Sequence, residues 1–422
     1  MIKQLKTAFL RGAEDKNSEL TFRKGAPLPK PQVCGRQLCF FVAFFLPISK
    51  MLETPALLAE YAKSDLLAPA ILHYLLQGAA LVAFVFLLSR LAKPLLRALA
   101  DTVGQTITKI FCFAYAAYFL FSALLPLLDL EKFVYAAFYD TAPTNFSFAP
   151  FFLLCGYFCV KGIKALARSA DLSLFLFLFP FLALVLMSVG QADLSAVLPV
   201  FGEPIQGTGR AFLSTAPHFS DVALLLPLAC GYEYKKGDGK KIALSYALGA
   251  AFVLLFLALF LGTFTTLAPR EHYAFIKIAQ YFPALDVVGR VDLLLSYLLT
   301  VLLFFNACLP VLYSIEFFTA GIDSSKRVLP SAVVNIALFF FVLYCNKYYN
   351  AVYAFFEKCF PVFWLFSLVL PVVLLFLLLK KDNRKAKKEG GREAINENNG
   401  VSERKPAATK RQRKTEVKNA QS

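Results

Sequence analysis

Runs of about twenty apolar residues, separated by short polar turns, recur along this chain and limit it more than any motif does. A helix of that length crosses roughly 30 Å of hydrocarbon. Ten such runs can be marked, near residues 37–61, 66–91, 106–127, 146–162, 172–189, 211–232, 241–267, 291–320, 328–344 and 361–379. The chain is 58% hydrophobic and 15% aromatic, above the usual range for a soluble domain. Lipid offers no hydrogen bonds to the backbone, so spanning segments are helices or closed barrels, and runs without alternation select helices. The expected fold is an all-α polytopic membrane protein of ten transmembrane helices occupying 36–380.

Orientation follows from the basic residues in the short loops. With both termini in the cytoplasm, the inner loops hold thirteen Lys and Arg and the longer outer loops hold eight. Most of the net charge of +16 lies in two basic cytoplasmic tails, 1–35 and 381–422, the second expected to be disordered. The cluster Lys410-Arg411-Gln412-Arg413-Lys414 has the composition of a nucleic-acid patch. Beside ten spans it reads instead as a tail attracted to anionic lipid, and no nucleic-acid partner is expected.

Two of the runs are interrupted at their middles. The first is broken by Pro47-Ile48-Ser49-Lys50-Met51-Leu52-Glu53-Thr54-Pro55, the sixth by Pro217-His218-Phe219-Ser220-Asp221. An unwound stretch survives at membrane depth only where protein or a cavity covers it. Breaks at matching positions of two halves point to a transporter-type binding site. Five helices per half make the second half run inverted relative to the first.

Lys50 is costly in this setting, at least about 2.5 kcal/mol for a bare ammonium near mid-membrane, so it needs a cavity or a partner. It either binds a ligand carboxylate, replaces a coupling cation, or pairs with Glu53 on its own helix face. Asp221 either pairs with Lys50, holds a ligand amine or proton, or caps the helix after the break. Ser49, Ser220 and His218 offer polar groups at the breaks, and Phe219 a ring to cover a ligand. Hydroxyls there also bond the preceding turn, and a histidine also fills a cavity. Tyr115 and Tyr118 are lining or packing residues of the third helix. Glu316 is expected to pair with Lys326 or Arg327. The segments Asp129–Phe148 and Leu267–Arg290 read as long outer loops able to carry surface helices or lids.

Four stretches resemble the B-subunit spore germination permeases of the amino acid–polyamine–organocation superfamily. They are Met51–Glu60 with its Pro and Ala-Glu pair, Lys161–Arg168, Leu198–Gly202, and Gly289-Arg290-Val291-Asp292. The resemblance covers about 33–379. It implies a leucine-transporter-like 5+5 inverted repeat with broken helices one and six, and a ligand between helices one, three, six and eight. It further implies an amino acid or similar small nutrient as ligand. A-type and C-type germinant-receptor subunits would be its partners, and the spore inner membrane its location. Two positions depart from the family pattern: Ile48-Ser49-Lys50 replaces a Gly-x-Gly-like run, and Asn306 stands where relatives carry lysine.

An enzyme is not expected, because no His-Glu-x-x-His, Gly-x-Ser-x-Gly or phosphate loop is present. The nine cysteines and three histidines match no metal spacing, and no cofactor is expected. An independent amino acid or amine transporter of the same superfamily is the alternative function. The topology is testable by labelling introduced cysteines: sites in Asp129–Phe148 and in the 380–422 tail should react from opposite faces. Labelling of both from one face contradicts an even number of spans.

Overall fold

Helix is the only regular structure among the described residues, apart from a single parallel bridge between Val33 and Tyr232. The computed structural model describes residues 33–90, 95–138, 144–202, 204–280, 291–324, 326–374 and 376–378. The Gly289–Arg290 pair and nearly all of both basic tails lie outside them. Seven helices are long and apolar enough to cross a membrane, and nine spans result when each of two bent pairs counts as one. The expected fourth span corresponds to a shorter apolar helix, so the count of ten includes one element below that length.

The first bent pair joins α1 (Gly35–Phe40), a π turn (Phe41–Phe45) and a 3₁₀ turn (Pro47–Met51) to α2 (Thr54–Ala62), with a 60° bend. Next come α3 (Leu67–Leu88), the short α4 (Leu95–Val103), α5 (Gln105–Phe138), α6 (Thr144–Lys161) and α7 (Ile163–Ser188). The second bent pair is α8 (Ile205–Ser214) and α9 (Asp221–Cys230), bent by 49° around a 3₁₀ turn. The remainder comprises α10 (Asp238–Phe264), α11 (Ala274–Gln280), α12 (Val291–Ile322), α13 (Val328–Lys347), α14 (Tyr349–Lys358) and α15 (Phe360–Trp364). A π turn at Leu365–Val369 continues α15.

Proline chemistry explains the first bend. Pro47 has no N–H to donate and its ring crowds the preceding turn, and the π turn immediately upstream absorbs that mismatch. The break is gripped from the side by α10. A Cβ on Gly249 would lie 3.0 Å from Pro47 Cγ and 3.0 Å from the Val42 carbonyl, so only glycine permits this approach.

Of the two segments read as long loops, the first departs from that reading. Asp129 does not open a loop: α5 continues to Phe138, because Asp129 and Glu131 point into protein rather than marking the end of the helix. Leu267–Arg290 does contain a short helix, α11, whose Ala274 N–H donates to the Leu52 carbonyl at 3.1 Å. That segment therefore caps a backbone group freed by the first break. The amphipathic helices α4 and α14 were not anticipated, since neither contains a run long enough to span.

At the opposite end of α12, Glu316 pairs with Arg327 through two contacts of 2.8 Å, both side chains being buried. Gly162 sits against this pair with φ of +70°, and a Cβ there would overlap the Arg327 guanidinium. Gly162→Ala should therefore displace Arg327 and destabilise the protein by more than about 1 kcal/mol. Thermal unfolding in detergent checks this; a wild-type midpoint would separate Gly162 from the ion pair.

Candidate functional site: a cavity where two broken helices meet

Each break frees backbone groups, and each freed group is met by another element. Asn306 of α12 donates its amide to the Phe45 carbonyl at 3.1 Å. Gln77 of α3 donates to the Phe219 carbonyl at 2.5 Å, and its own oxygen accepts from Ser367 at 3.1 Å. These bonds hold the two unwound stretches against α3, α12 and the π turn after α15.

The break centres meet through charge. Lys50 Nζ lies 2.6 Å from Asp221 Oδ1, with side-chain exposures of 1% and 2%. Tyr246 of α10 donates to the other Asp221 oxygen at 3.1 Å, and Lys50 also donates to the Leu46 carbonyl at 3.4 Å. The ammonium stands 5.4 Å from the Phe219 ring centre and 5.8 Å from that of Tyr74. Burial of two charges is tolerable only when further contacts support them, which here are the Tyr246 hydroxyl for Asp221 and the Leu46 carbonyl and two ring faces for Lys50. Lys50 does not pair with Glu53; it takes the partner offered among the readings of Asp221, a pair across the breaks. The first residue of α9, Asp221, turns its carboxylate to Lys50, and the N-cap position belongs to Ser220.

Glu53 goes elsewhere. Its carboxylate lies 3.1 Å from His272 Nδ1, and this hydrogen bond holds the imidazole above its ordinary pKa. Phe219 is stacked on His73, ring centres 4.3 Å apart, so it covers the ion pair. Tyr118 is stacked on Phe366 at 4.5 Å and Tyr115 donates to the Phe366 carbonyl at 3.1 Å, both within an aromatic cluster.

Beside the pair lies a cavity of about 70 Å³. Space of that size holds roughly five waters. Ser49 and Leu52 line it from the first break, Pro217, His218 and Ser220 from the second. Asn306 and Pro310 of α12, Ser122, Pro126 and Asp129 of α5, Phe363 and several leucines form the rest of the wall. It thus lies between the first, third, sixth and eighth spans. The Ser49 and Ser220 hydroxyls donate to the Leu46 and Pro217 carbonyls at 3.2 and 3.4 Å. Lys50, Asp221, Phe219, Glu53 and Tyr118 do not line the cavity.

On its α2 and α14 side stands a second, larger space of about 500 Å³ lined by Glu53, Glu60, Tyr61, His272, Tyr353 and Glu357 among others. Two tyrosines of α14 stand between the spaces: Tyr349 donates to Asp129 at 3.3 Å, and the Tyr353 hydroxyl lies 3.3 Å from His218 Nε2. Three residues of this region escaped sequence reasoning. Gln77 is a lone amide within an apolar run, Tyr246 is one tyrosine among eighteen, and Asp129 was assigned to a loop. The polar interruption at Gln77 was the one usable signal.

Two interrupted spans packed around a small cavity define a polytopic membrane protein of the transporter type. Residues 32–381 match the family described as spore germination protein, and the chain belongs to that family. Among curated proteins none matches it significantly in sequence. Solved structures of the Eremococcus coleocola manganese transporter are similar to it. A histidine-to-alanine variant of that transporter aligns with a TM-score of 0.50 and 14% identity, covering 81% of this chain and 77% of that one. A glutamate-to-alanine variant gives 0.51 and 14%, covering 86% and 80%. At this identity the likeness establishes the fold, which is leucine-transporter-like with bent first and sixth spans.

The ion pair makes a distinctive prediction. Removal of one partner of a buried pair leaves an uncompensated charge and typically costs about 3–5 kcal/mol. Lys50→Met and Asp221→Leu should each lower thermal stability more than the double replacement does. A double-mutant cycle measures this coupling, and strict additivity would mean that the two charges do not interact.

Proposed function

We propose that this chain is the membrane subunit of a spore germinant receptor, binding an amino acid or similar small nutrient in the cavity between the two breaks. The observation that carries this reading is the cavity itself, set at the junction of both interrupted spans in a member of the spore germination protein family. Ser49, His218 and Ser220 are the break residues proposed to contact the nutrient, with Asn306 shaping the wall. Lys50, Asp221 and Phe219 act beneath it by joining the breaks, Glu53 acts at the outer entrance, and Tyr118 packs behind Ser220. Binding biases the arrangement of the half-helices, and that bias passes to A-type and C-type partner subunits. In this reading the protein resides in the spore inner membrane with both tails, 1–35 and 381–422, in the cytoplasm, and the 36–380 domain holds the site.

Independent transport of an amino acid or amine is the second reading, favoured by the transporter fold. The manganese of the structural neighbour is not carried over. Among the described residues no group of three or more His, Cys, Asp or Glu could hold a metal ion. Uptake by proteoliposomes would favour transport, whereas neighbouring genes for A-type and C-type subunits would favour sensing.

The site is tested with purified protein and the twenty L-amino acids. A ligand at about a hundred times its Kd stabilises the folded state by about 2.7 kcal/mol. At least one amino acid should raise the thermal midpoint, and Ser220→Leu should reach the membrane folded yet lose that shift. Undiminished stabilisation in Ser220→Leu would remove the pocket from this position.

A further inference from the structure

The cavity wall contains one acid without a cationic partner among the described residues. Asp129 is 6% exposed and lines the cavity, and among the described residues it has no ion-pair partner. Its one described hydrogen bond, from Tyr349, is long at 3.3 Å against roughly 2.7–2.8 Å for a typical O–H···O bond. No Lys or Arg appears among the described lining residues. Of the two acids within the breaks, Asp221 pairs with Lys50 and Glu53 with His272, and neither lines the cavity.

A second feature points the same way. Pro126 lies inside α5 and Pro310 inside α12. Each proline lacks the N–H that would bond the carbonyl four residues earlier. Those carbonyls belong to Ser122 and Asn306, and both residues line the cavity. Asp129 thus shares the cavity wall with two residues whose carbonyls lack their usual helical donor. The rest of the wall is largely aliphatic, including Leu52, Leu125, Leu224 and Leu303. Such a set suits a cation that carries a small apolar body, and suits a bare anion poorly.

We propose that Asp129 recognises the ligand's positively charged amino group, with the Ser122 and Asn306 carbonyls completing the acceptor set. The ligand class is then a small aliphatic amino acid or alkylamine. Tyr349 occupies the carboxylate in the ligand-free state and yields it on binding. This inference rests on the nutrient-binding reading above and assigns the selective contact to a residue outside the two breaks.

The test uses the full-length protein in detergent and follows its thermal midpoint. The probes are L-alanine, L-valine and L-leucine, their deaminated counterparts propionate, isovalerate and isocaproate, isobutylamine, and sodium chloride against choline chloride. An amino acid or the amine should stabilise the wild type while the deaminated acids do not. A hydrogen bond to a charged group is worth about 1.5–3 kcal/mol, so Asp129→Asn should raise the half-saturating concentration at least tenfold. Tyr349→Phe, which frees the carboxylate without altering it, should lower that concentration severalfold and decides the matter if Asp129→Asn does not fold. Equal stabilisation by deaminated acids, or unchanged affinity in a folded Asp129→Asn, overturns the proposal while leaving the cavity as a binding site. Stabilisation by sodium alone, lost in Asp129→Asn, also overturns it in favour of an inorganic cation. A wild type silent to all probes overturns this inference together with the small-nutrient reading beneath it.

Discussion

Lys50 and Asp221 hold the centre of this protein together. Neither charge could be left alone at membrane depth, and each belongs to a helix whose middle is unwound. Their contact makes two otherwise separate defects into a single junction. The surrounding bonds follow from it: Asn306 meets the Phe45 carbonyl, Gln77 the Phe219 carbonyl, and Ala274 the Leu52 carbonyl. Backbone groups freed by the breaks are therefore satisfied by α12, α3 and α11. A change at either break must be felt by all three, which is the coupling a ligand-sensing centre needs.

Much of this was legible in the sequence. Apolar runs of spanning length placed the helices, and the two polar interruptions placed the breaks, because hydrocarbon penalises both kinds of feature so strongly. That Lys50 and Asp221 are neighbours was not contained in their local patterns; it followed only from a fold that brings the first and sixth spans together. Glu53, only three positions from Lys50 in sequence, turns to His272 because the 3₁₀ turn and the following bend carry it to the other face. Asp129 was hidden for a different reason. A carboxylate at the edge of an apolar run resembles a helix end, and only the continuation of α5 to Phe138 shows that it is buried. α14 carries aromatic residues on a helix too short to be recognised by length, yet it supplies both tyrosines that separate the cavity from the outer space.

The two ends of the molecule are fastened unequally. Toward the α12–α13 connection, Glu316 and Arg327 form a buried two-point ion pair that Gly162 alone leaves room for. Severing a buried pair of that kind costs about 3–5 kcal/mol. Toward α2 and α14 the closures are hydrogen bonds and one exposed pair: Tyr349 to Asp129, Tyr353 to His218, Tyr61 to both carboxylate oxygens of Glu357, and a largely exposed His272 to Glu53. A typical hydrogen bond contributes only about 0.5–1.5 kcal/mol, and an exposed charge pair no more than about 1 kcal/mol. A ligand can displace such contacts with the free energy of ordinary binding. Alternating access requires both ends to open in turn, whereas sensing requires only that one end respond. Under the proposed receptor reading, this inequality is the arrangement expected for a ligand that enters from the α14 side while the opposite end stays closed.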